Sequence, residues 1–342
     1  MKVTDPLVCI CIPTFNSEKT IRQTIDSLLL QKYNNLIIKI VDNSSTDATI
    51  EIVKTFEDSR IELHQFNTVV PVDGSFNRCL TLLDGDYSAI FHADDLYLPD
   101  LLREQVNYLE GNPSAGAVFT EAILINNIGR NIGQIKLPVG MSTKSKPYDF
   151  IFIFKKILRH YNFIVCPSAL VRTDIYKNEI REWNGHKFKS SADLDVWLRI
   201  LKHHSIGFLG PLIKCRISPS QETELVRKNL NRADFFSVID YYLSFEHIRN
   251  RISQSDIQSY KWLEHRDRLR RYINHISIGE DIPPKKLMGG IWRLNYILSA
   301  FNSRQGIITL FFGTFIILST FLFTKNYSKN LILKTAKILH MN

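Results

Sequence analysis

Two adjacent carboxylates, Asp94 and Asp95, follow the apolar run in "YSAIFHADDLY" (residues 87–97). Acids are common in turns, but surface turns are usually announced by Gly, Pro or Asn, and here apolar residues stand on both sides. A carboxylate pair so placed needs a partner, and a divalent cation held by oxygen ligands meets that need. Two other apolar runs end on polar tips, "PTFN" at 13–16 and "VDNSSTD" at 41–47. An edge made of three such tips suits a nucleoside diphosphate. Asp42 could accept a hydrogen bond from the N–H of a uracil or guanine base, or cap the helix that follows. Asp94 could hold Mg²⁺ or Mn²⁺ across two phosphates and so stabilise charge on a departing diphosphate. Asp47 is read as a helix cap.

The elements that must position these tips alternate regularly over the first 120 residues. "LVCICIPTF", "LIIKIVD", "RIELHQF", "YSAIFHADD" and "AGAVFTEAILI" read as strands. Between them, "SEKTIRQTIDSLLLQ" (with Ser17 as N-cap), "TDATIEIVKTFED", "SFNRCLTLLDG" and a segment opened by Pro99 have helical periodicity. Continuous apolar strands separated by helices imply an α/β fold with a mostly parallel sheet covered on both faces. In such sheets ligands bind at the carboxyl ends of the strands, where all three tips fall. Further on, "VCPSALVRTDIY" reads as a strand leading into a turn, "SADLDVWLRILKHH" as a helix, and "SIGFLGPLIKCRIS" as a strand pair.

Taken together, "CIPTFNSEKTIRQTIDSLLLQKY", "IVDNSSTDATIEIV", "GDYSAIFHADDLYLPDLL" and "SADLDVWLRI" resemble family 2 glycosyltransferases over about residues 7–215. The resemblance implies the GT-A nucleotide-diphospho-sugar transferase fold, sugar transfer with inversion, and a divalent metal. It makes Pro13, Thr14 and Asn16 part of the nucleotide pocket and Asp42 the base-contacting acid. The family's DxD motif falls on His92, Ala93 and Asp94, so Asp94 becomes the metal ligand. His92 stands where an Asp usually contacts the ribose, and an imidazole can still bond a hydroxyl. Asp95 is expected to support the ligand rather than touch the ion. The family's late Glu-Asp pair is matched by Ala192 and Asp193, which leaves Asp193 as the catalytic base, with Asp195 structural.

The whole chain bounds this reading. Its 342 residues and 44% apolar content allow one large domain plus an appendage, here divided as 1–220 catalytic, 221–303 basic and helical, and 304–342 membrane-associated. The formal charge of +9 is concentrated in the last third ("VRKNLNR", "EHRDRLRRY", "PPKKL"), beside an uncharged run from Gln305 to Thr324. That run is about long enough to cross a bilayer, and the basic tail after it suits a membrane surface. The expected partners are a nucleoside-diphosphate sugar, a saccharide or lipid-linked acceptor and the membrane, with no nucleic acid. The expected place is the cytoplasmic face of the cell membrane, since no secretory signal is read at the start. The five cysteines form no CxxC pair and are read as structural. Neither GxGxxG nor GxxxxGK[ST] occurs, which sets aside dinucleotide oxidoreductases and P-loop NTPases. One apolar run without QxxRW argues for transfer of one sugar, in surface polysaccharide synthesis, rather than processive polymerisation. A nucleotide-sugar-binding protein with a degraded site is the alternative raised by His92 and Ala192.

Overall fold

The computed structural model describes residues 5–218, 229–280, 294–301 and 304–338. The described chain divides into two compact units. One runs to Ile153 and resumes over Asn162–Ser218; the other joins Phe154–Tyr161 to the described residues after Ser218.

The first unit is built as β1 (Val8–Thr14), α1 (Ile21–Leu29), β2 (Leu36–Asp42), α2 (Thr49–Lys54), β3 (Ile61–Gln65), α3 (Val72–Leu82), β4 (Tyr87–Ile90), β5 (Leu96–Tyr97), α4 (Leu101–Gly111), β6 (Ala115–Ile125) and β7 (Asn131–Ile135). The start of α5 (Phe150–His160), β8 (Leu170–Arg172), the short α6 (Thr173–Ile175) and α7 (Gly185–Phe188), α8 (Ala192–Ile200) and β9 (Ser205–Arg216) complete it. The sheet order is β3-β2-β1-β4-β8-β6-β9-β5, with β7 on β6. Buried Val8, Ile10, Ile12, Ile38 and Ile40 form the centre of its core with Ile21, Ile25 and Leu28 of α1.

The sheet corrects the mostly parallel expectation. β3-β2-β1-β4 is parallel, as its helical crossovers require, but β8 is antiparallel to both β4 and β6, and β5 is antiparallel to β9. The three-residue β8 is filled in from a later part of the chain, after α5, and pairs with each neighbour over only two residues. "SIGFLGPLIKCRIS" makes one strand rather than two: β9 passes Gly210 and Pro211 by register shifts against β6 and continues to Arg216. Ser17 is not the N-cap of α1. That helix starts after Thr20, and the Ser17 carbonyl accepts from Thr20 and Ile21 in a preceding turn. All five cysteines are free thiols, and Cys9 and Cys11 point together at the Leu82 and Cys79 carbonyls.

The second unit is helical: the remainder of α5, α9 (Asp234–Ser244), α10 (Glu246–Arg249), α11 (Gln254–Ser277), α12 (Leu294–Ala300), α13 (Arg304–Leu322) and α14 (Lys325–Ile338). The capping box of Ser253 and Asp256 starts α11, and Arg159 of α5 donates to Asp256 across 2.6 Å. Leu269, Ile273, Ala300, Phe312, Ile316 and Ile332 share one core. The uncharged run expected to span a membrane is largely α13, but among the described residues no helix is long and apolar enough to cross one. Thr309, Thr314, Ser319 and Thr320 interrupt it, and one side of it is packed into that helical core. The basic run at 283–287 lies outside the described residues.

Candidate active site

β1 and β2 run in parallel register with Thr14 opposite Asp42, so the first two tips lie side by side. Thr14 is buried; its hydroxyl donates to the Ile12 carbonyl, and its own carbonyl accepts from the Asn43 N–H. Pro13 is the penultimate residue of β1, opposite Val41, and is half-buried. Asn16, at φ 48°, adopts the left-handed conformation that Asn tolerates better than most residues. Its Oδ1 accepts from the Thr46 N–H at 2.8 Å, and its own N–H donates to Ser45 Oγ at 3.0 Å. Asp42 is buried and accepts from the Ser44 and Ser45 N–H groups, each at 3.1 Å. Its carboxylate thus holds the turn it opens, as a capping acid does. Asp47 is not the N-cap of α2, which is Ala48; it stands one residue earlier and accepts from the Thr49 N–H at 3.0 Å.

The third tip folds back on itself between β4 and β5. Tyr97 stacks on Phe91 with ring centroids 4.2 Å apart, and its hydroxyl accepts from the His92 N–H at 2.8 Å. α1 and the turn that follows it lie beneath with a polar row at spacings of three and four. Thr24 Oγ1 donates to the Ala93 and Asp95 carbonyls, Ser27 Oγ accepts from the Tyr97 N–H, and Gln31 holds Leu98 and Leu102. Donor atoms of His92, Asp94 and Asp95 lie within 4.8 Å of one another. Burial pushes the His92 pKa down while Asp94 opposes it; burial, with Asp94 next, pushes Asp95 well up. His92 Nε2 is buried and makes no hydrogen bond among the described residues, leaving one imidazole nitrogen for an incoming group. Oxygen and imidazole donors clustered this way fit a Mn²⁺ or Mg²⁺ ion.

Asp193 sits in the first turn of α8, where the helix dipole favours an anion. Burial nevertheless raises its pKa to about 6, against the opposing pull of the Leu194 N–H and the Asn162 amide at 3.5 Å. Cys166 is pushed up by burial first, and then by the negative charges of Asp193 and Asp95. Asp195 of the same helix turns the other way. It accepts from Asn184 at 3.0 Å and Arg199 at 2.9 Å, and Arg199 also holds the Ile180 and Glu182 carbonyls.

Several residues that the sequence reading missed complete the arrangement. Three consecutive residues of α3 each reach a different part of it. Phe76 meets the His92 ring edge-on at 6.0 Å, Asn77 exchanges two hydrogen bonds with the Trp183 main chain, and Arg78 donates to Asn43 Oδ1 at 2.7 Å. Trp183 lies 4.6 Å from Phe76 and 5.9 Å from Trp197 of α8, so an aromatic line joins the His92 tip to the helix of Asp193. Arg216, at the end of β9, donates to the Asp94 carbonyl, to the Asn126 and Asn127 carbonyls and to Gln23 Oε1. Strand-end position was the signal available for Arg216, hidden by reading β9 as two strands.

Comparison with known proteins agrees with this geometry. The chain is 29% identical over 211 residues to the putative glycosyltransferase EpsE of Bacillus subtilis, covering 60% of this chain and 69% of EpsE. It is 26% identical over 231 residues to WfgD of Escherichia coli, named a UDP-Glc:alpha-D-GlcNAc-diphosphoundecaprenol beta-1,3-glucosyltransferase, covering 67% and 84%. Among solved structures, S. aureus TarS 1-349 in complex with UDP-GlcNAc superposes with a TM-score of 0.54 over 89% of this chain and 81% of that one. At 16% identity this last likeness is one of fold. The profile of Glycosyl transferase family 2 matches residues 9–179, half of the sequence, and with the three strand tips and α/β sheet described above this establishes that the chain belongs to glycosyl transferase family 2.

Proposed function

We propose that the protein is an inverting, metal-dependent hexosyltransferase that moves one sugar from a nucleoside-diphosphate donor to a hydroxyl of a saccharide or lipid-linked acceptor, in the synthesis of a bacterial surface polysaccharide. The observation that carries this reading is the cluster of His92, Asp94 and Asp95 donor atoms within 4.8 Å of one another; the base is Asp193, in the first turn of α8, whose pKa burial raises to about 6. A base so poised is ionised at neutral pH and still basic enough to take a proton.

In the proposed reaction, Pro13, Thr14, Asn16, Asp42 and His92 receive the nucleotide at the strand ends, with Asp42 taking a base N–H and His92 a ribose hydroxyl. Asp94 would hold Mn²⁺ or Mg²⁺, with His92 and Asp95 beside it, and the ion would supply neutralisation of the charge on the departing diphosphate. The acceptor hydroxyl gives its proton to Asp193 as its oxygen bonds to the anomeric carbon. The bond to the diphosphate breaks on the opposite face, and the leaving group takes the electron pair. One such displacement inverts the anomeric centre. The UDP-GlcNAc bound by TarS 1-349 and the diphosphoundecaprenol in the WfgD name support a uridine donor and a lipid-diphosphate acceptor.

The test is thermal-shift screening of UDP- and GDP-sugars with Mn²⁺, followed by transfer to a lipid-diphosphate-linked sugar. Stabilisation that grows with donor concentration, followed by product of inverted configuration, is expected. Donor binding without transfer to any acceptor and without donor hydrolysis would favour the binding-protein alternative.

A further inference from the structure

In the second unit, α13 has two unlike sides. Leu310, Phe312 and Ile316 enter the core with α11 and α14. Phe311, Leu318 and Leu322, at spacings of seven and four, share the other side and are 61%, 52% and 70% exposed. The apolar surface continues past the helix end through Phe323, whose ring lies 5.1 Å from that of the exposed Tyr327 on α14. A continuous apolar run of this kind marks an interaction surface.

Charge decides what it meets. Residues 282–342 carry eight Lys and Arg and no Asp or Glu. On α14, Lys334 lies seven residues beyond Tyr327 on the same side, with Lys337 next to it around the helix. A second copy apposed through α13 and α14 would bring cationic segments together, with no Asp or Glu on either helix to offset them. A bilayer with acidic head groups instead offers phosphates to the lysines and an acyl boundary to the aromatic and leucine side chains.

We infer that α13 and α14 form an in-plane anchor for an anionic membrane surface such as the cytoplasmic leaflet. Phe311, Leu318 and Leu322 enter the head-group–acyl boundary, and Lys334 and Lys337 meet lipid phosphates. The helix lies along the interface rather than crossing it, in keeping with its packed opposite side. Membrane binding of this kind needs neither donor nor acceptor, so it stands or falls apart from the transferase reading.

The experiment is co-sedimentation of the full chain with vesicles of phosphatidylcholine alone and with added phosphatidylglycerol. Binding is expected to the acidic vesicles, to weaken with salt, and to be reversed by alkaline carbonate. Lys334→Gln with Lys337→Gln should weaken it by roughly fivefold per lysine, and Leu318→Asp should abolish it. Because both lysines are exposed, the lysine variants keep the test valid should Leu318→Asp fail to fold. Failure to sediment with acidic vesicles, binding indifferent to the lysines, or retention through carbonate would each overturn the proposal. So would a dimer in sedimentation velocity that Leu318→Asp dissociates, since a second copy would then cover the face.

Discussion

Arg216 donates from Nε to the Asp94 carbonyl across 2.9 Å, while its backbone N–H donates to Asp95 Oδ1 across 2.8 Å. One residue at the end of β9 therefore grips both members of the acid pair. It does so through the main chain of Asp94 and the side chain of Asp95. Its guanidinium is buried and is also tied to Gln23 on α1 and to the Asn126–Asn127 turn. The planar fork of Arg suits this multiple grip, which a Lys cannot reproduce.

Arg216→Gln should loosen the tip without touching the carboxylates. Losing several charge-assisted bonds costs roughly 3 kcal/mol of stability. Mn²⁺-dependent affinity for UDP should fall by about tenfold or more, as for groups that orient metal ligands. Calorimetry on the folded variant checks this. Unchanged Mn²⁺-dependent affinity would make Arg216 a fold residue only.

Asp94→Asn keeps the side-chain shape and removes its charge. The variant should melt within about 1 kcal/mol of the parent and lose at least about 100-fold in Mn²⁺-dependent UDP binding. His92→Asp tests the other end of the cluster. A third carboxylate within reach of Asp94 and Asp95 should lower the melting temperature without metal through like-charge repulsion. Added Mn²⁺ should then raise melting by more than it does in the parent.

In the proposed reaction Asp193 sets the pH dependence. Below a pKa of about 6 it is protonated and cannot accept the acceptor's proton, so kcat/KM should rise with pH through that value and then level. Asp193→Asn should lower transfer by about 10²- to 10⁴-fold with donor affinity nearly unchanged. The linkage runs the other way for stability. A carboxyl whose folded pKa lies above its unfolded value loses stability as pH rises from about 4 to about 6. The Asn variant should therefore melt higher than the parent at pH 7, by on the order of 1 to 3 kcal/mol. Lower stability together with weaker donor binding would mark Asp193 as structural.

Thr24→Val keeps the volume and deletes the hydroxyl that serves the Ala93 and Asp95 carbonyls. Leaving buried carbonyls short of a donor costs about 1 to 3 kcal/mol. Denaturant unfolding of the variant measures this directly, and a change under about 0.5 kcal/mol would remove Thr24 from the support of the tip.

The strand tips were legible because a buried parallel strand is apolar throughout, so its polar end stands out. Asp42, which ends β2, and Asp94, which lies between β4 and β5, were singled out that way. The polar row Thr24, Ser27 and Gln31 was not, because the periodicity of α1 was used to find its apolar side, and nothing local says that the other side faces a loop some 70 residues on. Arg216 was hidden because Gly210 and Pro211 look like a turn, and only pairing with β6 carries the strand through them. The uncharged run at 305–324 misled for a different reason. An apolar helix has the same composition whether its neighbour is lipid or another helix, and here Leu269, Ile273 and Ile332 supply that neighbour on one side.

The ring contacts from His92 through Phe76 to Trp183 have an optical consequence. An indole two ring contacts from the acid cluster is a built-in chromophore, and its emission responds to charge and to paramagnetic neighbours. Titrating Mn²⁺ should quench Trp183 fluorescence, whereas diamagnetic Mg²⁺ should shift its wavelength with little loss of intensity. Trp183→Phe would separate this signal from those of Trp197, Trp262 and Trp292, giving occupancy of the cluster a readout that requires no sugar, no acceptor and no turnover.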